Sequence, residues 1–138
     1  MTTKEKLLAL LEDSKGTFFS GEEIARTLQV SRAAVWKAVN ALREDGYTID
    51  AATNKGYRLS PDSDILSPQG IRRFLKPEYR DLDLTVLPTA PSTNALVREK
   101  ANQGRPEGCV IVACEQTAGR GRYGRQFFSP VDSGVYLS

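Results

Sequence analysis

Along the first sixty residues, apolar positions recur with helical spacing in three successive stretches, and then the period changes. Thr2-Thr3-Lys4-Glu5 has the form of a capping box, and Leu7, Leu8, Leu10 and Leu11 follow it. A first helix is therefore predicted, ending near Lys15-Gly16. Ser20-Gly21-Glu22-Glu23 repeats the cap signature and opens a short second helix, with Ile24, Ala25 and Leu28 turned inward. Gln29-Val30-Ser31 reads as a tight turn, and Ser31 is placed to cap a third helix from Arg32 to about Asp45. In that helix Val35, Val39 and Leu42 recur at i, i+4 and i+7 and form the buried stripe. After it the period becomes two: Tyr47 and Ile49, then Tyr57 and Leu59, alternate with polar residues around the turn Thr53-Asn54-Lys55-Gly56.

A short helix, a turn and a longer helix form a helix-turn-helix, and two following strands make it a winged helix. Off the buried stripe of the third helix lie Arg32, Ala33, Trp36, Lys37, Asn40 and Arg43, and no acid occurs from Ser31 to Arg43. In this arrangement the N-terminal residues of the second helix of the pair meet base edges in the major groove. The candidate DNA contacts are Ser31, Arg32, Ala33, Trp36 and Lys37, with Asn54 and Lys55 at the wing tip over a phosphate or the minor groove. The competing reading is a three-helix domain with a hairpin and an ordinary solvated surface. Capping box, turn, acid-free helix and wing together favour DNA binding. For Trp36 partial burial in packing stays open as the alternative to a base contact.

"SPDSDILSPQG", residues 60–70, is rich in Pro, Ser and Asp and reads as a linker over 61–66. The winged helix thus occupies 1–60 and a second region 67–138. That region opens with Ser67-Pro68, an N-cap with Pro at the first helical position, and a short helix to about Leu75. A strand follows around Leu82–Leu87, then a helix from about Ser92 to Gln103 stopped by Gly104. "GCVIVACEQ" is a continuous apolar run and predicts a strand covered on both faces. The final "SGVYLS" reads as the start of another strand. The fold class expected is α+β, a winged helix followed by a partial α/β domain.

Composition changes this picture little and narrows the chemistry more. The 138 residues carry a net charge of +2, with 9 basic and 8 acidic residues up to Ser60 and 10 and 9 after it. Neither part is a basic tail, so nucleic-acid binding must rest on local patches. With no histidine, Ser-His and Cys-His catalysis and mixed Cys/His zinc sites are excluded from these residues. Cys109 and Cys114 lie five apart on a strand and read as buried free thiols, which suits a reducing cytoplasm. No run approaches a membrane span and no signal peptide is seen, so no membrane partner is expected, and no residue is assigned as a metal ligand.

Between the apolar strand and the last one lies "EQTAGRGRYGRQFFSP". Gly119, Gly121 and Gly124 have the G-x-G-x-x-G spacing of a dinucleotide fingerprint. That reading needs a helix opening at the motif, whereas "RQFFSPVDSGVYLS" has aromatics, a proline and β-type alternation. Arg120, Arg122 and Arg125 stand among the glycines instead. Glycine lets backbone N–H groups approach an anion, and guanidinium groups add bidentate contacts to phosphate. A loop of about seven residues between two strands is too embedded for a disordered Arg/Gly tail.

Three motifs in order, "STN" (92–94), "EQTAGRGRYGR" (115–125) and "FFSP" (127–130), resemble biotin–protein ligases. With "SRAAVWKAVNALREDG" and "NKGYRLS" ahead of them, the chain resembles the bifunctional class, in which the ligase is also the repressor of biotin genes. The resemblance implies a class II synthetase-like catalytic domain that joins biotin to ATP, holds biotinyl-5′-AMP and acylates a lysine of a biotin carboxyl-carrier protein. It implies Ser92, Thr93, Asn94 and Gln116 in the biotin pocket, and Gly119, Arg120, Gly121 and Arg122 in the loop over the adenylate, with Arg125 beside them. Phe127 stands where relatives often carry a tryptophan near adenine. It also implies Mg²⁺ with ATP, homodimerisation promoted by the intermediate, and operator DNA as partner. The family's Lys-Trp-Pro-Asn-Asp segment has no match here, and neither Lys76 nor Lys100 lies in its context. No catalytic residue is therefore assigned, and the chain is expected to be a portion that does not ligate biotin by itself. The alternative is a winged-helix regulator whose second region only senses or dimerises.

Overall fold

The computed structural model describes all 138 residues, which form two compact units, Met1–Phe74 and Leu75–Ser138. In the first, α1 (Thr3–Asp13), α2 (Gly21–Leu28) and α3 (Arg32–Glu44) precede a hairpin of β1 (Ile49–Ala52) and β2 (Gly56–Leu59). Each helix begins where a hydroxyl residue accepts from the backbone three positions on. Thr2 Oγ1 accepts from Glu5 N, Ser20 Oγ from Glu23 N and Ser31 Oγ from Ala34 N. At Thr2 the box is reciprocal, because Thr2 N donates to the Glu5 carboxylate at 2.7 Å. That bond, first among the causes, holds the Glu5 carboxyl below its ordinary range.

The predicted stripes meet in one core. Leu7, Leu11, Ile24, Val35, Val39, Leu42, Ile49 and Leu59 are all buried, joined by Leu8, Ala25 and Ala38. Burying such aliphatic side chains stabilises by about 1.5–3 kcal/mol each, so this cluster is what holds the three helices to the hairpin. Gln29 ends α2 in the left-handed conformation with φ 56° and turns the chain into α3. The hairpin is antiparallel, with Ile49 opposite Leu59 and Ala52 opposite Gly56. Phe19 joins its edge through two backbone hydrogen bonds with Tyr57, both 2.8 Å.

The helix that opens after the linker differs from expectation in length and in allegiance. It is a single short element, α4 (Pro68–Arg72), and it belongs to the first compact unit, packed on α1. The reason is electrostatic as well as steric. Glu12, buried on α1, lies 3.4 Å from Ser67 Oγ and 3.9 Å from Arg73 NH1, and Arg73 also donates to the Glu12 carbonyl. Ser67 in turn caps α4 by accepting from Gly70 N at 2.9 Å. A buried carboxylate that needs partners draws both ends of α4 onto α1. The compact boundary therefore falls between Phe74 and Leu75, not within 61–66.

In the second unit β3 (Leu84–Leu87), α5 (Thr93–Asn102) and β4 (Val110–Ala113) form a parallel crossover, and β5 (Tyr136–Leu137) adds antiparallel to β4. The sheet order β3-β4-β5 puts the apolar run in the centre, where Ile111, Val112 and Ala113 are buried in succession. Cys109 and Cys114 flank this strand as free thiols, and both are half-buried, not buried as expected. They lie just beyond the strand ends, where cover thins.

Candidate functional site

Two candidate surfaces are present, one in each unit. In the first, the exposed face of α3 and the hairpin enclose an open groove of about 720 Å³. Arg32, Ala33 and Trp36 line one side and Ala51, Ala52, Thr53 and Asn54 the other, with Ser20, Gly21 and Tyr57 at its base. Trp36 is 62% exposed, so it is not the packing residue that its apolar bulk allows. The i, i+4, i+7 stripe already fills the core, and Trp36 lies about 100° round the helix from Val35.

Other predicted contacts fall around this groove. Lys37 and Lys55 are exposed and lie outside its lining, while the Ser31 hydroxyl is engaged in capping α3. Arg43 spends its guanidinium on the carbonyl of Ile49, with Nε at 3.2 Å and NH2 at 2.7 Å. It therefore ties the end of α3 to the wing. The wing itself turns through Asn54 at φ 65° and Gly56 at φ 96°. A Cβ on Gly56 would stand 2.0 Å from the Phe19 carbonyl oxygen, so only glycine allows this approach.

In the second unit Ser92, Thr93, Asn94, Gln116, Arg120 and Phe127 line one open hollow of about 590 Å³, together with Tyr136, Leu137 and Ser138. Six residues singled out from three separate motifs are thus brought together. The segment after β4 runs beside the start of α5: Ala90 N donates to Glu115 O at 3.0 Å and Thr117 N to Ala90 O at 3.0 Å. Thr93 N donates to Gln116 Oε1 at 2.8 Å, and Gln116 Nε2 donates to Ser129 Oγ at 3.0 Å. Ser138 Oγ lies 2.8 Å from Thr93 Oγ1 and donates to Asn94 Oδ1 at 2.6 Å. The amides and hydroxyls therefore form one connected network along the rim of an otherwise aromatic and aliphatic hollow. Ser92 is buried and caps α5 through Ala95 N at 3.4 Å, so its hydroxyl positions the helix.

Gly119 and Arg125 join Gln116, Arg120 and Phe127 around an adjoining hollow of about 830 Å³. Gly121 and Arg122 line neither. No helix opens at the glycines; a 3₁₀ turn over Arg122–Gly124 closes the tip, and Arg120 bridges Gln126 across it. The dinucleotide reading fails on this geometry. The excursion from β4 to β5 is also longer than the short interstrand loop expected, because its return half pairs with its own outgoing half: Phe127 N donates to Gly119 O and Gln116 N to Ser129 O. Arg120, Arg122 and Arg125 are all exposed and form none of the ion pairs.

Ser129 is the site residue that the motifs contained but that sequence reasoning did not single out. It is buried, accepts from Gln116 and donates to the Phe127 carbonyl at 3.2 Å. A Cβ on Gly119 would come within 2.7 Å of its Oγ, so Ser129 and Gly119 together fix the base of the loop. Its position before Pro130 was the available signal. Of the two lysines, Lys76 is exposed, but Lys100 is half-buried and donates to Thr85 Oγ1 at 3.1 Å, beside Asp83. It is a structural tie between α5 and β3.

A helix-turn-helix domain model matches residues 3–58. The chain is 39% identical over 137 residues to the bifunctional ligase/repressor BirA of Bacillus subtilis and 36% identical over 137 residues to BirA of Escherichia coli. It is 37% identical over 132 residues to BirA of Salmonella typhimurium. These matches cover 99%, 99% and 96% of this chain but 42%, 40% and 39% of the relatives. No helix is long and apolar enough to cross a membrane.

Proposed function

We propose, for a chain that matches the N-terminal portion of bifunctional ligase/repressors along nearly its whole length, that the first unit binds operator DNA of biotin genes. The second unit, on the same reading, carries one wall and the anion loop of a biotinyl-5′-AMP site. The observation that carries the DNA reading is the shared groove: Arg32, Ala33 and Trp36 of α3 face Asn54 of the wing across open space. A helix read into the major groove and a wing beside it need that geometry. Arg32 and Trp36 then meet base edges, and Lys37 and Lys55 meet phosphates.

For the second unit, the support is chemical fit. Ligand sites are mostly apolar hollows with a few placed polar groups. Phe127, Tyr136 and Leu137 offer apolar wall to a thioether ring and aliphatic chain, and Asn94, Gln116 and Thr93 offer amide and hydroxyl groups to a ureido head. Arg120, Arg122 and Arg125 are free to meet a phosphate or carboxylate. Magnesium would accompany ATP. Joining biotin to a carrier-protein lysine, and dimerisation, remain part of this proposal; no catalytic residue is assigned among these residues. A regulator whose second unit only senses or dimerises is the alternative.

Fluorescence anisotropy with a labelled duplex spanning the promoter of the biotin biosynthetic genes of the same genome tests the DNA reading. The promoter duplex is expected to bind more tightly than a scrambled duplex of equal composition. Arg32→Ala should cost about 1–3 kcal/mol and flatten that preference, whereas Lys37→Ala should weaken both duplexes and lower the salt slope by about one. Equal binding of the two duplexes by the parent chain overturns the operator assignment.

A further inference from the structure

Phe18 lies outside the recognition helix and outside the wing, yet both wing cations converge on its ring. Lys55 Nζ is 5.8 Å from the ring centroid and the Arg58 guanidinium carbon 4.7 Å. Both distances fall within the range in which a cation is drawn to the ring quadrupole. The two cations differ in what else holds them. Arg58 Nε is 2.8 Å from the Asp50 carboxylate across the hairpin, so its charge is met. Lys55 enters none of the ion pairs and stands exposed at the wing tip.

The ring is rigidly referenced to the wing. Phe19, the next residue, exchanges two backbone hydrogen bonds with Tyr57, and Gly56 presses against the Phe19 carbonyl where no side chain fits. The segment that carries Phe18 therefore cannot drift relative to the turn that carries Lys55. A lysine on a free wing samples many rotamers, and ordering it on a phosphate costs side-chain entropy. A ring that already restrains its ammonium lowers that cost.

We propose that Phe18 is a positioning residue for DNA backbone recognition, holding the Lys55 ammonium for a phosphate contact; this rests on the DNA reading above. Anisotropy with the promoter duplex, measured from about 50 to about 200 mM salt, tests it in Phe18→Leu, Phe18→Trp, Lys55→Ala and the double variant Phe18→Leu/Lys55→Ala. Leucine keeps the apolar bulk and removes the quadrupole; tryptophan keeps both. Phe18→Leu is expected to weaken binding about two- to five-fold with an unchanged melting temperature. Phe18→Trp is expected to match the parent, and Phe18→Leu to add nothing once Lys55 is alanine. Parental affinity in Phe18→Leu, or the same loss with and without Lys55, overturns the positioning role while leaving DNA binding intact. No binding of the duplex by the parent at about 50 mM salt overturns the DNA reading itself, and this inference with it.

Discussion

The two units solve the same packing problem to different extents. In the first, three helices and a hairpin share a closed cluster in which Leu7, Leu11, Ile24, Val39 and Leu59 have no exposed surface. In the second, apolar burial is confined to Ala90 and the central strand, and no apolar residue of α5 is buried. Phe127, Phe128, Val131, Val135 and Leu137 stay exposed along the loop and β5. Polar order replaces apolar cover there: Thr93, Gln116, Ser129 and Ser138 hold the site by hydrogen bonds. The lesson is that the α3 groove of the first unit rests on a core, whereas the hollow of the second rests on a network.

The comparison breaks most visibly at the core. Leu11→Ala should cost about 2–5 kcal/mol of first-unit stability. Amide hydrogen exchange should show α1, α2 and α3 losing protection together, while in the parent the β4 amides exchange faster than those of α3. Equal protection of β4 and α3 would remove the distinction.

The next effect concerns the polar tie inside the first unit. Ser67→Ala removes the cap on α4 and a partner of buried Glu12. A loss of about 1–2 kcal/mol in urea unfolding is expected, with α4 amides exchanging first. An unchanged midpoint would mean that α4 does not belong to the first cooperative unit.

The smallest effect sharpens the same region. Burial pushes the Tyr47 phenol above its ordinary 10.0, partly offset by its hydrogen bond with Ser67. The Asp45 carboxylate, by hydrogen bond, likewise holds Lys4 above its ordinary 10.5. Both groups are raised, so their contributions are complete below the unfolded values and fade as pH rises through about 10 and above. The urea midpoint should fall slightly between about pH 9 and about pH 11, and by less in Tyr47→Phe. A midpoint that rises over this window contradicts both assignments.

Much of the first unit was legible because its signals are local. Thr2, Ser20 and Ser31 announce helix starts through bonds only three residues long, and Val35, Val39 and Leu42 declare their face by spacing alone. The motifs "STN" and "EQTAGRGRYGR" likewise named Ser92, Thr93, Asn94, Gln116 and Arg120 of the hollow. Phe18, Ser129 and the Lys100 tie were not legible, because each acts through a partner 14 or more residues away, or across the return of a loop. Trp36 was ambiguous for a related reason: its exposure depends on how fully its neighbours fill the core.

What the sequence determined by itself was the order and type of elements, since caps and hydrophobic periods are enforced by short-range hydrogen bonding and by the geometry of helix and strand. What tertiary structure alone decided was which side chains keep their chemistry for a ligand. Arg43 and Lys100 carry charges that look available and are committed to Ile49 and Thr85. Arg32 and Arg120 keep theirs, with Lys55 restrained beside a phenyl ring that the chain places there from 37 residues upstream. A charged group is free or engaged according to the distant atoms that desolvate or bond it, and those distances exist only once the chain has folded.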